Sequence, residues 1–207
     1  MLTRPLEEAV DTSNYEKFQT GNPVVRRLID RFYGKVGGLV SAVRPESVLD
    51  AGCGEGETLE RLAGLLPASV TGIDLNPDSV EFAARRIPDG SFSVADLTAL
   101  PFEDDSFDLV LCLEVLEHIA DPAPALAELS RVCRGDIVLS VPSEPWFRLG
   151  SLARGKYLEG WGNHPEHVNH WNPRSLRAFL DSEADVVTVE RSTPWLVAHA
   201  RPRRPSA

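Results

Sequence analysis

The stretch Val48-Leu49-Asp50-Ala51-Gly52-Cys53-Gly54-Glu55-Gly56 decides how the rest of the chain is read. A short apolar run, Ser47–Asp50, ends on a carboxylate, and glycines follow at alternate positions. An amphipathic segment, Thr58–Leu66, comes next and stops at Pro67. This succession predicts a strand, a tight turn and a helix. Glycines in the turn let the backbone bend sharply and approach a ligand closely. A glycine cluster alone marks little more than a strand-to-helix connection. Asp50 adds a carboxylate at the strand end, where a cationic ligand finds a partner.

Moving outward, the same alternation repeats. Asn22-Pro23 offers a capping side chain and a proline at the first helical position. Val25, Leu28, Ile29, Phe32, Val36, Leu39 and Val40 then recur at helical spacing, with Gly37-Gly38 expected to weaken or bend that helix. Ser69–Asp74 reads as a second strand and Pro77–Arg86 as a helix. Ser91–Ala95 and Phe107–Leu113 read as the third and fourth strands. Pro122–Cys133 reads as a helix capped by Gly135, and Ile137–Val141 as a fifth strand. Asn172-Pro173 opens another helix through Leu180, and Val186–Arg191 and Leu196–Ala200 close the chain as an antiparallel pair. Alternating strands and helices predict an α/β, Rossmann-like three-layer sandwich around a mostly parallel sheet. Residues 1–21 form a weakly patterned lead-in, 143–172 break the rhythm, and 201–207 read as a frayed tail.

Ligands of such sheets bind beyond the carboxyl ends of the strands. Acids recur there in register. Asp74 ends the second strand, where a carboxylate can accept both hydroxyls of a ribose. Asp96-Leu97 ends the third, where an acid can meet an adenine amino group while Leu97 packs on the ring. Glu114 to His118 follows the fourth. Each acid taken singly is commonly a turn residue or helix cap. Four in register point to a ligand. A nicotinamide-dependent oxidoreductase is the rival on this architecture, but its G-x-G-x-x-G fingerprint meets Glu57 at the third glycine. Carboxylates at Asp50 and Glu55 would repel a pyrophosphate and suit a ligand with a sulfonium and an α-amino group.

The bulk numbers set outer limits. The chain has 207 residues, a length suited to one domain, 1–207, with a full core. Its net charge of −10 argues against a nucleic-acid partner. There is no apolar run of the ~18 residues that a membrane-spanning helix needs. Met1-Leu2-Thr3-Arg4-Pro5 lacks an apolar signal core, so a cytoplasmic location is the expectation. Cys53, Cys112 and Cys133 are too widely spaced for a zinc site or a disulfide framework, and the last two read as small core residues.

The quoted stretch resembles the first motif of class I S-adenosylmethionine (SAM)-dependent methyltransferases. Asp96-Leu97-Thr98-Ala99-Leu100-Pro101-Phe102 and Ser106-Phe107-Asp108-Leu109-Val110 resemble the third-strand loop and fourth strand of the type 11, ubiquinone/menaquinone-biosynthesis-like subgroup. Glu114-Val115-Leu116-Glu117-His118-Ile119 is similar to that subgroup's motif after strand four. The resemblance spans roughly residues 22–190. It implies strand order 3-2-1-4-5-7-6 and SAM as cofactor. It further implies that the backbone of Gly52, Cys53, Gly54 and Gly56 cradles the methionine part, and that Asp50 orients its amino group. Asp74 would hold the ribose, Leu75, Asp96 and Leu97 the adenine, and Leu113 would lie near the sulfonium.

A small-molecule acceptor methylated on oxygen, before nitrogen or carbon, is the favoured reading. A nicotinamide oxidoreductase and a non-catalytic SAM-binding module are the alternatives. A hydroxyl acceptor needs its proton removed, which suits a side chain titrating near neutrality. His118 is the first candidate base, and His167 and His170 are the others. No metal is expected, although Glu114, Glu117 and His118 at i, i+3 and i+4 would share a face of a helical turn and could hold a divalent ion. Trp161 to Trp171 reads either as a surface loop anchored by Val168 and Trp171 or as an acceptor-pocket wall. Trp146, Phe147 and Tyr157 suggest a lid over a flat or apolar acceptor, and Tyr15 and Phe18 a cover over the cofactor.

Overall fold

The computed structural model describes residues 22–67, 69–144 and 168–204. Its first element, α1 (Pro23–Val43), begins as the sequence predicts, with the Asn22 side chain accepting from the backbone N–H groups of Val24 and Val25. Then come β1 (Val48–Ala51), α2 (Glu57–Leu62) with a 3-10 turn (Ala63–Leu65), β2 (Thr71–Asp74), α3 (Pro77–Arg86) and β3 (Ser91–Val94). The second half holds β4 (Phe107–Leu113), a 3-10 turn (Leu116–His118), α4 (Ala123–Val132), β5 (Cys133–Pro142), α5 (Pro173–Leu180), β6 (Ala184–Ser192) and β7 (Trp195–Pro202).

One seven-stranded sheet runs in the order β3-β2-β1-β4-β5-β7-β6, as expected. Strands β1 to β5 pair in parallel, and β7 lies antiparallel to both β5 and β6. Side chains alternate along the central strand β4. Leu109, Leu111 and Leu113 face a core with Ile29, Phe32, Val36 and Val40 of α1 and Leu59 and Leu62 of α2. Val110 and Cys112 face the opposite core, with Leu126 and Leu129 of α4 and Leu176 and Leu180 of α5. A strand buried on both faces must be apolar almost throughout, which β4 is.

Several sequence expectations are corrected. Gly37-Gly38 does not interrupt α1, which is continuous. Gly37 instead lets the helix pack closely, since a Cβ there would come within 3.0 Å of Leu65 Cδ1. The helix read as running to Leu66 finishes at Leu62 in a 3-10 turn. Gly135 does not cap a helix. It lies inside β5, where a Cβ would meet the Asp108 carbonyl oxygen at 2.3 Å. The residues after Ala200 are not frayed as far as Arg204. Arg201 and Pro202 complete β7, the Arg203 N–H donates to the Glu183 carbonyl at 3.1 Å, and Arg204 donates to the Cys133 carbonyl at 3.0 Å.

Candidate cofactor site

The site grows from the carboxyl ends of β1 and β2. The backbone N–H groups of Gly52 and Cys53 both donate to the Ile73 carbonyl at 2.8 Å, stitching the glycine turn to β2. Gly52, Gly54 and Gly56 all have positive φ. At Gly52 the requirement is double: φ is +85°, and a Cβ would stand 2.4 Å from Val115 Cγ2. Only glycine satisfies both.

Asp74 secures the turn from the other side. One carboxylate oxygen accepts from the Gly54 N–H at 2.9 Å, and the other accepts from the Asn76 N–H at 2.9 Å. Each oxygen has a further lone pair for a ligand hydroxyl. Leu75, beside it, is 70% exposed, as an apolar residue at a binding edge would be.

Asp50 is the unusual member. It is 1% exposed, and its Oδ2 has no hydrogen-bond partner among the described residues. A buried carboxylate without a cation is costly to ionise. Burial first, and the charge of Asp74 second, push its pKa up to about 7. Burial and the same two carboxylates also raise the Cys53 thiol, so Cys53 is not a thiolate nucleophile. The site thus holds a desolvated carboxyl group, a second acid and a glycine backbone bent open. This donor set fits an organic cation bearing hydroxyls, as SAM is, and it disfavours a pyrophosphate.

The later acids differ. Asp96 is exposed, and its Oδ1 accepts from both the N–H and the hydroxyl of Thr98, at 2.8 and 2.7 Å. These bonds hold its pKa below the usual carboxylate value. Leu97 and Leu113 are buried, Leu97 in the core with α4 and Leu113 in the core with α1.

Beyond β4 the arrangement departs from the shared-face expectation. Glu114 has a φ of +60°, so the chain leaves the strand in a left-handed turn, and only Leu116–His118 make a 3-10 turn. The Ser140 hydroxyl donates to Glu114 Oε1 at 2.8 Å, whereas Glu117 is 1% exposed. Among the described residues no group of three such side chains is placed to hold a metal ion. His118 is exposed, with Nε2 3.9 Å from Glu117 Oε1. His170 is exposed, and His167 lies outside the described residues, as do Tyr15, Phe18, Trp146, Phe147 and Tyr157.

The end of the 143–172 segment docks on this turn: the Val168 N–H donates to the Glu117 carbonyl at 2.9 Å, although the residue itself is 55% exposed. Asn169 anchors it. Its Nδ2 donates to the Ile119 carbonyl at 2.6 Å, and its N–H donates to the Glu117 carbonyl at 3.2 Å. Trp171 is buried against Phe179, with ring centroids 4.9 Å apart. Ser140 and Asn169 were both missed by the sequence reading. Ser140 carried a signal, being a hydroxyl within the apolar run Ile137–Val141.

Comparison with known proteins bears on this geometry. Residues 49–140 match a family model described as a methyltransferase domain. The O-methyltransferase cnsE of Penicillium expansum is 40% identical over 111 residues, covering 51% of this chain and 40% of that protein. A demethylmenaquinone methyltransferase of Renibacterium salmoninarum is 38% identical over 112 residues, covering 52% of this chain and 46% of that protein. The chain spans about half the length, or less, of the curated relatives it matches. The crystal structure of magnesium protoporphyrin IX methyltransferase from Synechocystis PCC 6803 with bound SAH superposes with a TM-score of 0.66 at 19% identity, over 92% of both chains, and shows the shared fold. No described helix is long and apolar enough to cross a membrane. Residues 49–140, which carry the glycine turn and strands β1 to β5, are thus similar to a methyltransferase domain, on a sheet whose order is the one the resemblance implies.

Proposed function

We propose that this chain is a SAM-dependent methyltransferase acting on a small molecule, with oxygen favoured over nitrogen or carbon as the methyl acceptor. The observation that carries the reading is Asp50, a carboxylate buried beside the glycine turn with an oxygen that no described residue satisfies. An α-amino group supplies what it lacks. Several relatives are named as O-methyltransferases, which supports oxygen.

When bound, SAM supplies a methyl group on a positive sulfur that is already an activated leaving group. The chain's own work is therefore binding and alignment, a contribution of roughly 7–11 kcal/mol where alignment is good. Asp50 takes the amino group, directly or through a water molecule. The backbone of Gly52, Cys53, Gly54 and Gly56 cradles the methionine part. Asp74 receives the ribose hydroxyls on the lone pairs left by Gly54 and Asn76. Leu75, Asp96 and Leu97 serve the adenine end, and Leu113 the neighbourhood of the sulfur.

A hydroxyl acceptor must lose its proton as it attacks. His118 is the base we favour, with His167 and His170 as the other candidates. It follows β4 on the cofactor side of the sheet. The Glu117 carboxylate near its Nε2 would stabilise the imidazolium formed on accepting the proton.

Calorimetric titration with SAM, S-adenosylhomocysteine and NAD tests the reading. Both sulfur compounds should bind and NAD should not. Failure of both sulfur compounds to bind overturns the proposal, and binding of NAD in their place would install the oxidoreductase reading.

A further inference from the structure

The glycine turn has a third attachment, and it comes from α3. Arg86 is the last residue of that helix, and its side chain is 18% exposed. Its Nη1 donates to the Glu55 carbonyl at 3.3 Å. Its Nη2 pairs with Glu57 Oε2 at 2.8 Å and Glu60 Oε2 at 2.6 Å, both on α2. The Phe82 ring lies 6.0 Å from the guanidinium and restricts it further. The neighbouring Arg85 has no such role, since it pairs with Glu81 on its own helix.

The Glu55 carbonyl and the Gly56 N–H belong to one peptide plane. The N–H end donates to the Cys53 carbonyl at 2.9 Å, while Arg86 holds the carbonyl end. The plane is therefore fixed at both ends. Gly56 has a φ of +79° and packs on the same helix, where a Cβ would meet Ile87 Cδ1 at 3.2 Å and Ala83 Cβ at 3.5 Å. With one end released, a peptide flanked by glycine in a left-handed conformation can flip, and the turn loses its preset shape.

We infer that Arg86 is a positioning residue for the cofactor site: it locks the Glu55–Gly56 peptide and so preorganises the glycine turn without touching the ligand. This inference rests on the methyltransferase reading of the site. The planar, forked guanidinium reaches a carbonyl and two carboxylates together, whereas an ammonium is a single point charge. Arg86→Lys should thus keep the attraction to Glu57 and Glu60 and lose the hold on the peptide.

The test combines S-adenosylhomocysteine titration, thermal unfolding and amide hydrogen exchange on the wild type, Arg86→Ala and Arg86→Lys. Arg86→Ala should bind about tenfold more weakly, the scale of one charge-assisted hydrogen bond. Arg86→Lys should recover most of the unfolding temperature but little of the affinity. The Gly56 amide should exchange faster in both variants. Full recovery of affinity in Arg86→Lys overturns the inference, because simple charge pairing would then suffice. Wild-type affinity or Gly56 exchange in Arg86→Ala overturns it as well. If the wild type itself binds no S-adenosylhomocysteine, the methyltransferase reading falls, and Gly56 exchange still decides what Arg86 does.

Discussion

Strands β1 and β4 lie side by side in the sheet, and each delivers a carboxylate at its carboxyl end. The two carboxylates are treated in opposite ways. Glu114 is received by its surroundings: the Ser140 hydroxyl donates to it, and its own N–H bonds the Ser140 carbonyl at 3.1 Å. Asp50 is buried more deeply and left with an orphaned oxygen. Glu114 thus braces the turn that leaves β4 against β5. Asp50 creates a demand that no described residue of the chain meets. A polar group denied a partner inside a folded protein is the stronger pointer to a ligand.

The largest expected effect lies where the two strand ends touch. Gly52, two residues after Asp50, packs on Val115, the residue after Glu114. Gly52→Ala should add overpacking of about 1–3 kcal/mol to a left-handed strain of about 1–2 kcal/mol. Urea denaturation at wild-type midpoint would break the idea that this contact sets the turn.

Next comes Asp50→Asn, whose two effects should have opposite signs. Affinity for S-adenosylhomocysteine should fall by about 1.5–3 kcal/mol with loss of the charged hydrogen bond. Stability of the free protein at about pH 8 should rise by about 1–3 kcal/mol, because an uncompensated buried charge disappears. Loss of both would make Asp50 ordinary scaffold, like Glu114.

The same group sets a pH dependence. With a pKa of about 7, Asp50 carries a proton below neutrality, and an ammonium ligand needs the carboxylate. Affinity should therefore climb as pH rises through 7, at up to about tenfold per unit. It should fall again above about pH 8, as the ligand's own α-amino group deprotonates. Stability of the free protein runs the other way. Between the ordinary aspartate value of 3.8 and about 7 the folded state holds a proton that the unfolded state has lost. Stability should then decrease as pH rises through that window. Asp50→Asn should flatten both curves in titrations across pH.

The smallest effect sharpens the contrast from the other side. Ser140→Ala should cost about 1–2 kcal/mol of stability, since it removes a buried donor to Glu114. It should leave S-adenosylhomocysteine affinity unchanged by calorimetry. A drop in affinity would tie the two strand ends into one binding unit.

Much of this contrast was legible in the sequence. The succession of strands and helices, the glycine turn and the acids at strand ends follow from periodicity and turn chemistry. Partners were not legible. Asp96 at a strand end looks like Asp74, yet Thr98 claims one of its oxygens locally. Gly135 has the chemistry of a helix stop, but a close approach to the Asp108 carbonyl keeps it in a strand. Arg86 leaves no pattern at all, because its partner is a main-chain carbonyl 31 positions away. After β4 the helical spacing of Glu114, Glu117 and His118 misled, since a left-handed residue breaks the helix that the spacing presupposes. Asn169 was hidden because it caps a turn made by residues about 50 positions earlier.

The place of β7 has a consequence for how the chain is made. It is inserted between β5 and β6, so the sheet's second half closes only when residues 195–202 arrive. While the ribosome is still supplying them, β5 presents a free edge of unpaired amides and carbonyls, and both cores still lack the side chains of Leu196, Val197 and Ala198. Such an edge is a template for another nascent chain. Yield in cells should accordingly depend on how fast residues 195–202 are translated, and slow codons within them should favour aggregation over folding.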